Sequence, residues 1–63
     1  MLNKAQAKQV SFIHIYMSCD MPDVAARTLS ALIRSSLRKS ATVELMKIAI
    51  QFDLLNHPEF IIK

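Results

Sequence analysis

The stretch Asp20-Met21-Pro22-Asp23-Val24-Ala25-Ala26-Arg27-Thr28-Leu29-Ser30-Ala31-Leu32-Ile33-Arg34 decides the fold class. A proline flanked by aspartates is a helix-start signal. Its fixed φ suits the first turn, its missing N–H is not needed there, and the carboxylates complement the free amides and the dipole. Beyond it, Ala25, Leu29, Leu32, Ile33 and Ser36 share one face. Arg27, Arg34 and Arg38 stand nearly opposite, within roughly 40° of one another at about 100° per residue. This pattern predicts an amphipathic helix over residues 22–37, with Arg38 and Lys39 near its end where cations suit the dipole.

On the N-terminal side, Val10, Ile13 and Met17 recur at helical spacing, with Phe12, Tyr16 and Cys19 on a neighbouring row. The β-branched and aromatic content of Val10–Met17 also suits a strand. Strict alternation fails, because Phe12, Ile13, Ile15, Tyr16 and Met17 would load both faces. A helix over 4–18 is expected, with Asn3 as its N-cap.

On the C-terminal side, Ser40 reads as the cap of a third helix over 41–55. Asn56 is expected in the left-handed closing position that glycine usually fills, and Pro58 blocks continuation. Ala41, Leu45, Ile48, Phe52 and Leu55 form one apolar stripe of this helix; Val43, Met46, Ile50 and Leu54 form a second on another side. A helix that covers one neighbour needs one such stripe. The surplus stripe and the apolar tail residues Phe60, Ile61 and Ile62 are therefore the expected self-association surface, with the tail folding back over the stripe as the competing arrangement.

Composition agrees with an all-α fold of three short helices. The chain has 63 residues, which allows one domain, residues 1–63, and it contains no glycine. Without glycine the positive φ of tight hairpin turns is hard to reach, and helices with short links tolerate that best. Hydrophobic residues make up 52% of the chain, above the roughly 45–50% of average globular sequences. A domain this small buries only about 60% of its unfolded surface and commonly needs a disulfide, a metal or a partner. Cys19 is a lone cysteine, so no intrachain disulfide forms, and His14 and His57 are the only other soft metal ligands. A homo-oligomer is the expected remedy.

Catalysis finds no constellation. His14 and Cys19 are five residues apart and would not face each other on a helix, so a small buried cysteine and a solvent-side or interfacial histidine are expected. His57, before Pro58, is expected to bond terminal carbonyls, and Asp20 and Asp23 are explained by the helix start. No phosphate loop, metal-spaced cluster or nucleophile elbow occurs, so a non-enzyme without catalytic residues, metal or cofactor is expected. The net charge of +3 and isoelectric point near 9.4 permit an anionic partner without requiring one. Arg27, Arg34, Arg38 and Lys39 form the candidate face for nucleic acid or an acidic partner. A solvated arginine face is the plainer account of the same row. Lys4 and Lys8 before Val10–Met17 only superficially suggest a signal peptide, since Ser11 and His14 interrupt the run. No apolar run approaches the roughly 20 residues that span a bilayer. A cytoplasmic protein that does not engage the membrane is expected.

Over its whole length, from Met1-Leu2-Asn3-Lys4-Ala5 through Cys19-Asp20-Met21-Pro22 to Pro58-Glu59-Phe60-Ile61-Ile62-Lys63, the chain resembles a small orphan protein of lambdoid bacteriophages. The group lies among products of the early region between the exonuclease and excisionase genes. The resemblance is one of overall sequence and length, with no diagnostic motif and no site residues to carry over. It implies a phage accessory protein in the host cytoplasm, regulating the host or the lysis–lysogeny balance. The expected function is binding to a host or phage protein; a basic DNA- or RNA-binding regulator is the alternative.

Overall fold

Three helices follow one another: α1 over Lys4–Ser18, α2 over Pro22–Ser35 and α3 over Lys39–Gln51. The computed structural model describes residues 1–60. Among them the chain is helices and turns, in the all-α class expected.

Helix α1 opens where the sequence indicates. Asn3 Oδ1 accepts the Gln6 N–H at 2.8 Å, and Gln6 Oε1 accepts the Asn3 N–H at 3.0 Å. Two of the free amides of the first turn are satisfied by this reciprocal pair.

The other helix ends differ from expectation. Helices α1 and α3 both close with a left-handed residue, and in both it is an aspartate: Asp20 and Asp53 each have φ 57°. After α1, the Met21 N–H reaches Tyr16 O at 2.8 Å and Asp20 N–H reaches Met17 O at 3.2 Å. After α3, Leu54 N–H reaches Ala49 O at 2.9 Å and Asp53 N–H reaches Ile50 O at 3.1 Å. Each is the paired closure of a Schellman motif. Asp53, not Asn56, therefore takes the glycine role, and α3 stops at Gln51 rather than 55. Asp20 closes α1 rather than opening α2; Asp23 is the acidic residue in the first turn of α2.

An aspartate is a poor occupant of these positions. Its Cβ is strained at positive φ, and its charge opposes the negative helix end. Asp20→Gly and Asp53→Gly should each stabilise the fold by about 0.5–1 kcal/mol, a rise of roughly 2–8 °C for a domain of this size. A thermal melt followed by circular dichroism checks both.

Helix α2 ends at Ser35, two residues short of the expected limit, because Ser36 and Arg38 take extended ψ of 129° and 131°. Arg38 becomes the N-cap of α3, and Ser40 lies inside that helix rather than capping it. The Ser40 Oγ instead accepts from the Met1 amino group at 3.1 Å. Arg38 and Lys39, expected at the end of α2, thus stand at the start of α3.

The core draws on all three helices. Ile13 of α1, Ala25, Ala26, Leu29 and Ile33 of α2, Leu45 and Ala49 of α3, and Leu54 beyond it form one buried cluster. Helix α2 packs against both neighbours, as its clean division into apolar and charged faces requires. Buried alanines at 25, 26, 41 and 49 have almost no side chain to hold the backbones apart. Ser30 is the one buried polar residue among those described, and its Oγ is satisfied by donation to Arg27 O at 3.0 Å. After α3 the chain turns back over the body. His57 N–H reaches Leu54 O, Phe60 N–H reaches His57 O, and Phe60 packs against the core.

Candidate functional site

Two surfaces were expected to carry function, and the structure redraws both. The first is the second apolar stripe of α3. Val43 is 45% exposed and Ile50 62% exposed. On a helical wheel they stand roughly 20° apart and on the far side from Leu45 and Phe52. Met46 is half-buried at the edge of this face and packs against the core. Leu54, expected on the same surface, is only 1% exposed and belongs to the core. The early end of α3 explains this correction: the chain reverses at Asp53, so Leu54 turns inward instead of continuing the stripe. Phe60 is half-buried against the core, while Ile61 and Ile62 lie outside the described residues. Phe60 therefore folds back against the core and not over Val43 and Ile50, which stay in water.

Other exposed apolar side chains were not foreseen as surface. Phe12 and Ile15 of α1, Met21, Leu55 and, above all, Leu37 face solvent. Phe12 covers part of its surface by stacking on Tyr16, ring centroids 6.5 Å apart. Leu55 falls on the core stripe of α3 by its spacing, but the helix ends before reaching it.

The second surface is the arginine row, and it is not continuous. Arg27 is engaged with Glu59, Nη2 to Oε1 at 3.1 Å, which ties α2 to the C-terminal turns. Both side chains are largely in water, so the pair is worth at most about 1 kcal/mol. Arg34 lies in the last turn of α2, but Arg38 has left that helix and stands with Lys39 at the start of α3. What remains is a basic corner where α2 gives way to α3, with Arg34 before the link and Arg38 and Lys39 after it, rather than a row along one face. A shallow groove of about 530 Å³ also runs between α1 and α2, bordered by Gln9, Arg27, Thr28 and Leu32.

The titratable residues considered for chemistry are dispersed. Cys19 is exposed, not buried as expected, because it caps α1 just outside the packed face. The His14 ring meets Phe52 edge-on, with centroids 4.9 Å apart. Five residues of helix turn it roughly 140° away from Cys19. His57 does not bond terminal carbonyls: its Nδ1 accepts the Glu59 N–H at 3.1 Å and shapes the final turn. Among the described residues, no three of His, Cys, Asp and Glu gather as a metal site. No described helix is long and apolar enough to cross a membrane.

The comparisons are empty. No protein-family model, curated protein or solved structure matches the chain. The surface itself offers two features: an apolar pair on the outer face of α3, and a basic corner between α2 and α3.

Proposed function

We propose that the chain is a non-catalytic interaction protein. It associates with further copies of itself through the outer face of α3 and acts by binding another protein. In the setting implied by the resemblance to lambdoid early-region products, that partner is a host or phage protein in the infected cytoplasm. The observation that carries the reading is the exposure of Val43 and Ile50 on the solvent side of a helix whose opposite side is already packed. An apolar pair in that position gains nothing within the monomer, whereas a facing copy would remove it from water at about 25 cal/mol per Å². With Met46 at its edge, the face has an adaptable side chain that can repack against a neighbour.

The rival reading is a basic regulator that binds nucleic acid. It needs a phosphate-tracking row, and the engagement of Arg27 with Glu59 and the departure of Arg38 from α2 break that row. An electrophoretic shift assay at low salt, with light scattering on the same sample, separates the two. The interaction reading expects a mass above the 7.1 kDa monomer and no retardation of DNA or RNA. Salt-sensitive retardation that vanishes with Arg34→Gln and Arg38→Gln, on a protein of monomer mass, would replace it with the rival.

A further inference from the structure

Leu37 is 99% exposed on the extended link between α2 and α3, with Arg34 before it and Arg38 and Lys39 after it. Had α2 run on for one more turn, its register would have carried Leu37 to within roughly 40° of Ile33, on the packed side. The early break instead sets the leucine wholly in water. It also forms part of a pocket of about 390 Å³, whose walls include Leu2, Gln6, Ser35, Arg38 and Ala41. This is the size range of sites that take a small ligand or an anchoring side chain.

No carboxylate among the described residues pairs with the basic side chains around this knob. Among the described residues the ion pairs are Met1 amino group with Glu44 and Arg27 with Glu59, and neither uses Arg34, Arg38 or Lys39. No side-chain cap and no acidic residue in the first turn offset the positive end of α3 beside them.

We propose that this corner docks an acidic peptide segment bearing one apolar anchor residue. Its carboxylates pair with Arg34, Arg38 and Lys39, and the anchor enters the pocket against Leu2 and Leu37. Guanidinium forks suit carboxylates as well as phosphates. The exposed leucine beside a pocket of mixed polar and apolar lining is what favours a peptide. Single-stranded nucleic acid would call for aromatic platforms on which bases stack, and no aromatic residue lines this pocket. The inference rests on the protein-interaction reading and supplies its partner chemistry. It is centred on Leu37 rather than on Val43 and Ile50, so self-association can fail while peptide docking holds, and the reverse.

The test is fluorescence anisotropy on the full chain with three labelled probes: a synthetic peptide of Asp and Glu with one central leucine, the same peptide with serine replacing that leucine, and a single-stranded oligonucleotide of equal net charge. The leucine peptide should bind most tightly. The serine peptide, and separately the variant Leu37→Ser, should each weaken binding by about tenfold, as loss of a central anchor does. Joint replacement of Arg34, Arg38 and Lys39 by Gln should weaken it at least as much and remove its salt dependence. Because Leu37 is fully exposed, Leu37→Ser should melt like the parent, so a lost signal cannot be ascribed to unfolding. Equal binding of the leucine and serine peptides, an unaffected Leu37→Ser variant, no peptide binding at low salt, or tighter binding of the oligonucleotide would each overturn the proposal.

Discussion

Leu54→Ala should destabilise the folded chain by about 2–4 kcal/mol, while Ile50→Glu, four residues earlier on the same apparent stripe, should change monomer stability by no more than about 1 kcal/mol. The contrast follows from the reversal at Asp53. Leu54 is the residue just beyond the left-handed cap, its N–H is fixed to Ala49 O, and its side chain is sealed in the core. Truncation removes buried methyl groups from a site whose surroundings are anchored by that closure and cannot easily collapse. Ile50 points into solvent. Urea unfolding of both variants at a concentration where the parent is monomeric measures the difference. Equal losses at the two positions would mean that the α3 stripe continues unbroken and that the chain reversal at Asp53 is wrong.

Leu29→Ala should be as damaging or worse, about 2–5 kcal/mol. Leu29 is fully buried near the middle of α2, the helix that packs against both others, and it belongs to the same cluster as Ile13, Leu45 and Leu54. Its neighbours Ala25 and Ala26 are too short to fill the vacated space. A domain of this length has only about 3–9 kcal/mol of total stability, so the variant should be largely unfolded at 37 °C. Its far-ultraviolet circular dichroism should show that directly. A cooperative melt close to that of the parent would show that α2 is not the centre of the packing.

The central helix was legible because two independent signals coincide there. Pro22 with Asp23 marks a start, and the face of Ala25, Leu29 and Ile33 opposite Arg27 and Arg34 marks a packed side. The helix ends were less legible, and the reason is chemical. With no glycine in the chain, the left-handed closures fall to Asp20 and Asp53, and Asp20, two residues before Pro22, reads more naturally as an opening residue. The end of α2 carries even less signal. Ser35-Ser36-Leu37 continues the helical period, so periodicity alone extends the arginine row to Arg38 and sends Leu37 toward the core. The break into extended backbone at Ser36 and Arg38 has no proline or glycine to mark it in the sequence.

The candidate surfaces shifted for the same reasons. Ending α3 four residues early moved Leu54 from the expected interface into the core and Leu55 from the core to the surface. Breaking α2 before Leu37 dissolved the arginine row and gathered Arg34, Arg38 and Lys39 at one corner. Val43 lies inside α3 and Ile50 is still within its last turn, so both keep the helical spacing that places them on one face. Among the described residues they are the part of the expected self-association surface that is exposed in the fold.

Sedimentation equilibrium of the parent chain beside Val43→Glu and Ile50→Glu, over a wide concentration range, tests the central claim most directly. The account predicts a parent mass that rises above 7.1 kDa with concentration, and variants that stay monomeric with unchanged helical content. A parent that remains monomeric at every concentration, or glutamate variants that associate as strongly as the parent, would contradict it.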